Sequence, residues 1–245
     1  MKWPRAASLT FLLLILISWE SITRVCHVPD FILPSPTDIL KVAVFQAPLL
    51  LPHGATTAFE ILLGIFISLA VALPLATAMF SHPALEKAIS PILVVSQAIP
   101  VFALAPLLVV WLGYGISSKV LMAAIIIFFP ITVNLLEGFK SCGAEYRNLF
   151  RLMGAGFFKT MRHLYWPWAL PYFFAGLKVG VSVATIGAVI GEWVGAQKGL
   201  GFLMIQANAR LRVDMVFAAI LWLAMMGLFM WMVVESIEKK IIHWK

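Results

Sequence analysis

Six stretches of the sequence are apolar over about the 20 residues that a helix needs to cross a hydrocarbon core roughly 30 Å thick. They cover residues 6–25, 57–80, 92–111, 120–136, 170–194 and 216–234. Of the 245 residues, 62% are hydrophobic and only 12% are charged, whereas a water-soluble domain carries charge at about a quarter of its positions. No soluble core of this length hides so much apolar surface. The expected fold is an all-α membrane protein with six transmembrane helices, forming one transmembrane domain over residues 1–245. The first stretch has a short apolar core followed by Glu20 and Arg24, and no small-residue cleavage site follows it. Arg24-Val25-Cys26 also makes a poor lipoprotein signal, so the segment is read as a retained anchor and not as a signal peptide.

The basic excess, 18 Lys and Arg against 11 Asp and Glu, is dispersed in loops between apolar runs, which excludes a nucleic-acid footprint and fits membrane topology. With the N-terminus inside, the inside segments hold Lys2, Arg5, Lys87, Lys140, Arg147, Arg151, Lys159, Arg162, Lys239, Lys240 and Lys245. The outside segments hold Arg24, Lys41, Lys119, Lys198, Arg210 and Arg212. The asymmetry places both termini in the cytoplasm. Cys26 and Cys142 then lie on opposite faces and cannot pair.

The polar segment at about 140–170 is the most organised of the loops. Leu149, Leu152 and Met153 share one helical face while Arg147 and Arg151 occupy another. Gly154 and Gly156 interrupt this helix, because a glycine takes the left-handed backbone that lets the next helix leave at an angle. Phe157, Phe158, Met161 and Leu164 form a second apolar stripe opposite Lys159 and Arg162, and Pro167 and Pro171 are expected to stop the unit before the fifth span. Such a segment suits either a docking surface or a helix lying on anionic lipid.

Within the spans, Gly176, Gly180, Ala184, Gly187, Ala188, Gly191 and Gly195 make a face along which backbones can approach closely. Gly187, Gly191 and Gly195 are the expected dimer-packing residues, with contact inside one subunit as the alternative. The sixth span is bulky where the fifth is small, as lipid-facing positions can be. Thr57 and Glu60 read as a capping box at the outer start of the second span. Lys178 reads as a cation that snorkels to the cytoplasmic interface. Gln97 has no such outlet, and with Pro100 close by it is a candidate for lining a solute path. Glu192 and Trp193 are read as an outer mouth that suits an aromatic solute and opposes an anion.

Enzyme chemistry is not indicated. The sequence lacks Gly-x-x-x-x-Gly-Lys-Ser/Thr and Gly-x-Ser-x-Gly, and its five histidines are scattered with no metal-ligand spacing, so neither a catalytic residue nor a metal site is expected. A secondary transporter would be expected to show internal repeats and buried acids coupled to ions.

Gly154, Leu164 ten residues on and Pro167 three further resemble the loop by which permeases of ATP-binding-cassette (ABC) importers engage their ATPase. Asn148, Leu149 and Phe150 stand where that loop commonly has an acid and two alanines. The segments 31–36, Ser96-Gln-Ala-Ile-Pro100, Trp111-Leu-Gly-Tyr-Gly115, Phe128-Phe-Pro-Ile-Thr132, Gly191-Glu-Trp-Val-Gly195 and Lys198-Gly-Leu-Gly201 are similar to the permease family serving nitrate, alkanesulfonate, taurine and thiamine-precursor importers. Leu170-Pro-Tyr-Phe-Phe-Ala-Gly176 and Ile190-Gly-Glu-Trp193 most resemble its hydroxymethylpyrimidine branch. The resemblance implies type I importer architecture, alternating access, and a homodimer in a bacterial inner membrane. It also implies an extracytoplasmic solute-binding protein and a cytoplasmic ATPase dimer that holds the ATP and magnesium, leaving this chain without a cofactor. In that loop Asn148, Arg151, Gly154, Ala155, Phe158, Arg162, Leu164 and Pro167 would meet the ATPase. Taurine, alkanesulfonate, nitrate and riboflavin stand as alternative solutes.

Overall fold

The structure is a computed structural model that describes residues 5–243, with side chains from Thr10 onward. Lys2 and Lys245, counted above as inside charges, lie outside the described residues, as does the side chain of Arg5. The elements in order are α1 (Arg5–Val25), α2 (Pro36–Phe45), α3 (Ala47–Ser81), α4 (Pro83–Ala98), α5 (Val101–Leu112), α6 (Ile116–Lys140), α7 (Ala144–Leu152), α8 (Phe157–Thr160), a π-helical turn (Met161–Tyr165), α9 (Trp166–Trp193), α10 (Leu200–Ala209) and α11 (Val213–Ile241). Every described element is helical, in line with the expected class. Two compact units form, one from residues 5–56 and 197–224, the other from 57–196 and 225–243, and both include part of α3 and of α11.

Among the described residues, four helices are long and apolar enough to cross a membrane: α3, α6, α8 through α9, and α11. The expected continuous span at 92–111 is instead the pair α4 and α5, bent by 99°. Pro100 has no N–H to continue the ladder and drives Ile99 out of helical geometry, to φ −76° and ψ 122°. Pro106, by contrast, stays inside α5. Counting the bent pair as one span gives five among the described residues; α1, with 21 residues, covers the first apolar stretch.

In the first unit, Pro36 opens α2 at a position whose N–H would be unpaired anyway, and the Ser35 side chain accepts from the Asp38 N–H. The Lys41 ammonium and the Ser35 hydroxyl, donating to Asp38, hold its carboxyl below the usual carboxylate range. The His53 Nδ1 accepts from the Gly199 N–H at 3.0 Å, and the Trp222 indole donates to the Ala43 carbonyl at 3.2 Å.

In the second unit α6 is the central helix, and its neighbours present small residues to it. On α3, Glu60, Gly64, Ser68 and Ala72 follow at four-residue steps. A β-carbon on Gly64 would stand 2.8 Å from Ala123 Cβ, and Ser68 donates to the Ala124 carbonyl at 2.6 Å. On α9, a β-carbon on Gly176 would stand 2.5 Å from the Pro130 carbonyl, one on Gly187 2.9 Å from Ala123 Cα, and one on Gly191 3.0 Å from Lys119 Cα. The small-residue face of α9 is therefore filled by α6 of the same chain. Gly187 and Gly191 are intrasubunit contacts and not the dimer surface expected of them. Gly195 faces Tyr114 of this chain, whose ring leaves no room for an added β-carbon.

Two further expectations change. α3 begins at Ala47, so Thr57 and Glu60 sit in its interior and do not cap it. Lys178 is met by Glu238 of α11, Nζ to Oε2 2.6 Å, so its charge is balanced by an ion pair where snorkelling was expected.

Gly187→Val places new atoms against the backbone of Ala123 and is expected to cost about 1–3 kcal/mol, the usual penalty of overpacking. Thermal unfolding of the purified chain in detergent checks this; a melting curve equal to that of the unmodified chain contradicts the packing described.

Candidate functional site

Two surfaces of the second unit suit a transport role. The first is a groove of about 560 Å³ lined by α4, α5, α6 and α9, including Ser96, Gln97, Phe102, Phe129, Asn134 and Ile190. That volume lies within the usual range for a small-molecule site. The break between α4 and α5 builds it, because turning the chain at Ile99 and Pro100 leaves the exposed Gln97 beside an open face. The Ser96 hydroxyl donates to Leu93 O at 2.7 Å and the Asn134 amide donates to Pro130 O at 2.8 Å. Gln97 Nε2 reaches Ser96 Oγ at 3.4 Å, so most of the amide's capacity faces the groove. Every residue lining the groove is uncharged.

The second surface is the loop from α7 to α9. α7 ends in a Schellman motif: the Ala155 N–H reaches Phe150 O and the Gly154 N–H reaches Arg151 O, both at 3.0 Å, with Gly154 at φ +69°. Gly154 takes the left-handed backbone anticipated for it. Leu152 and Phe158 are each 86% exposed, and Asn148, Arg151 and Arg162 are exposed as well. Ala155 and Pro167 are half-buried, and Leu164 is buried, so Leu164 anchors the loop to the bundle instead of presenting itself. Pro167 and Pro171 do not stop the loop before the span. The π-helical turn runs straight into α9, Pro167 occupies its first turn, and Pro171 lies within it. Beneath the loop, Phe157, Phe158 and Trp166 line a cleft of about 740 Å³ with Pro74, Thr77 and His82.

Glu192 and Trp193 separate in the structure. Trp193 is 50% exposed, whereas Glu192 is 1% exposed and accepts a hydrogen bond from Thr57 Oγ1 at 2.6 Å. Gly191 and Gly195, on either side, bring α9 against Lys119 and Tyr114. Glu192 thus lies inside the bundle and supplies no charge at a mouth. Gln97 and Pro100 are neighbours at the helix break, but neither Glu192 nor Trp193 lines the groove that Gln97 lines. Sequence reasoning missed Asn134 and Ser96 as groove residues, and Thr57 and Lys119 as neighbours of Glu192. The spacing Ala184, Ala188, Glu192 carried the signal, since four-residue steps put the carboxylate on the same inward face as two small residues. Among the described residues no three His, Cys, Asp or Glu side chains assemble as a metal site.

Comparison with known proteins fits this arrangement. Residues 61–243 match the family described as binding-protein-dependent transport system inner membrane component. The chain is 39% identical over 228 residues to a probable ABC transporter permease of Haemophilus influenzae, covering 93% of each. It is 36% identical to the formylaminopyrimidine transport permease of Halalkalibacterium halodurans, over 96% of this chain and 94% of that one. It is 35% identical to the riboflavin transport system permease of Chloroflexus aurantiacus, over 100% and 92%. In three dimensions it is similar to a chain of the MetNI methionine ABC transporter in an inward-facing form, with TM-score 0.71, 17% identity, and 80% of this chain and 97% of that one covered. That likeness shows the fold, the permease architecture of type I ABC importers. The chain belongs to the binding-protein-dependent transport system inner membrane component family and is a permease subunit of an ABC importer, a transport component and not itself an enzyme.

Proposed function

We propose that this permease carries an aminopyrimidine precursor of thiamine, of the hydroxymethylpyrimidine or formylaminopyrimidine kind, across a bacterial inner membrane by alternating access. It works as a homodimer with both termini in the cytoplasm. A cytoplasmic ATPase dimer binds the ATP and magnesium, and an extracytoplasmic binding protein delivers the solute.

The observation that carries the solute reading is the uncharged lining of the groove, with its free amide capacity at Gln97. Taurine, an alkanesulfonate or nitrate entering it would shed water without meeting a cation. A neutral heteroaromatic ring loses little there and gains the faces of Phe102 or Phe129. The Gln97 amide can donate to a ring nitrogen and accept from an exocyclic amine. The relative that transports formylaminopyrimidine supports the same chemistry. The relative that transports riboflavin, nearly as similar, favours a flavin as the second reading.

The loop reading rests on the exposed apolar and basic residues around Gly154. Closure of the ATPases would push on α7 and α8 and, through the helix that continues into α9, tilt the walls of the groove.

In a strain unable to make the pyrimidine moiety of thiamine, growth on limiting hydroxymethylpyrimidine or its formylamino analogue is expected to require this gene. Gln97→Leu should raise the half-saturating concentration about tenfold, the worth of one hydrogen bond of about 1.4 kcal/mol. Rescue without the gene, together with gene-dependent taurine or riboflavin uptake, would replace the solute and leave the permease standing.

Gly154→Val forces a β-branched residue into the left-handed region, at about 1–2 kcal/mol, and should disorder the α7–α8 corner. The expected outcome is normal membrane insertion with loss of uptake and of ATPase co-purification. Undiminished uptake at normal expression would remove the docking assignment.

A further inference from the structure

The groove lined by α4, α5, α6 and α9 is built around proline. Proline has no N–H, so it leaves the carbonyl four residues earlier without its helical donor. Pro100, Pro106 and Pro130 do this to the carbonyls of Ser96, Phe102 and Ile126, and all three of those residues line the groove. At membrane depth a freed carbonyl is tolerated where a neighbour or a water-filled space meets it. Backbone donors come from the first turn of α5, where the N–H groups of Val101 and Phe102 have no helical partner.

The side chains add acceptors. The Ser96 hydroxyl spends its proton on Leu93 O at 2.7 Å, which leaves its oxygen free to accept. Asn134 is the most constrained of them. Its Nδ2 donates to Pro130 O at 2.8 Å, and because a carbonyl oxygen can only accept, the amide cannot sit the other way round. Its Cβ is held by α9, since a β-carbon added to Gly176 would stand 2.8 Å from it. Asn134 is half-buried and lines the groove, and among the described residues none donates to its Oδ1. Gln97, by contrast, is exposed and held only by a 3.4 Å contact to Ser96 Oγ, so its amide can turn to give or to accept.

We propose, resting on the pyrimidine reading above, that Asn134 is the specificity-determining residue of the groove: its fixed Oδ1 accepts an N–H from the solute, so the permease itself favours a ring bearing an exocyclic amine over the same ring without one. A site built to meet an N–H rejects the analogue that lacks it, because the site's acceptor is then left unpaired. The ring nitrogen beside the amine is left to Gln97 or to the first turn of α5. The preference is a property of the membrane subunit and adds to whatever selection the binding protein makes.

The test uses the permease assembled with its ATPase in lipid nanodiscs, without the binding protein. Ligand-observed NMR measures the Kd of hydroxymethylpyrimidine and of its analogue with hydrogen in place of the amine. The unmodified complex should bind the aminopyrimidine about tenfold more tightly than the analogue, the worth of one hydrogen bond. Asn134→Ala keeps the β-carbon that meets Gly176, and Asn134→Leu keeps the side-chain volume; each removes the acceptor. In either variant the aminopyrimidine should bind as weakly as the analogue, while Kd for the analogue stays within about twofold of its value in the unmodified complex. Whichever variant assembles normally decides. The proposal is overturned if the unmodified complex shows no preference for the amine, if it binds neither ring, or if the preference survives loss of the acceptor. A change of equal size for both rings also overturns it and makes Asn134 a packing residue. Gene-dependent growth on the pyrimidine, measured beside these constants, separates the two levels: growth without preference removes the role of Asn134 alone, and loss of gene dependence removes the pyrimidine reading itself.

Discussion

The close approach of α3 and α9 to α6 is the contact on which the other features of the second unit rest. Lipid tails are as apolar as leucine, so burying apolar side chains gains little between membrane helices. Association there depends on dispersion contacts between backbones and on hydrogen bonds between helices. Gly64 on one side and Gly176, Gly187 and Gly191 on the other leave the backbone of α6 within reach of both partners. The Ser68 hydroxyl adds a hydrogen bond to the Ala124 carbonyl. With α6 held on both faces, the bent pair α4–α5 has a fixed wall against which to build a groove. Larger residues at those glycines would move the wall and the groove with it.

The same closeness explains how charge is kept inside the domain. Lys119, Glu60 and Glu192 are buried where the three helices meet, and each lies near carbonyls, a hydroxyl or another carboxyl instead of lipid. Farther along, Lys178 and Glu238 pair where α9 faces α11. Isolated charges at such depth are costly, and the cost falls when partners are near. The groove carries no charge at all. The bundle interior and the groove thus differ in chemistry, with ionisable groups held between helices and the open face left to amides, a hydroxyl and aromatic rings.

Apolar length was legible in the sequence, as were the left-handed Gly154 and the place of Gln97 beside a proline break, because each is a property of one local segment. What was not legible needs two segments at once. The Thr57-x-x-Glu60 pattern looks the same whether the helix begins there or ten residues earlier at Ala47, and only the start of α3 separates a cap from an interior acid. A four-residue ladder of glycines states that some helix will approach, without naming it, and the partner proved to be α6 of the same chain. Pro100 signals interrupted hydrogen bonding, but the 99° turn depends on the space that α6 and α9 leave for α5. Lys178 could be matched to Glu238 only once α11 had been laid beside α9.

From Phe157 to Trp193 the chain runs as one apolar helical rod of 37 residues, about 55 Å at 1.5 Å per residue. Its two ends are the exposed phenylalanines of the loop and the junction that buries Glu192. A rod clamped along its middle by α6 behaves as a lever with a broad fulcrum. It cannot slide, because each glycine sits in register against a particular residue of α6. Its hydrogen-bond ladder changes register at the π-helical turn Met161–Tyr165, a kind of irregularity at which helices kink. The loop end thus connects to the part of the rod packed on α6 only through Met161–Tyr165.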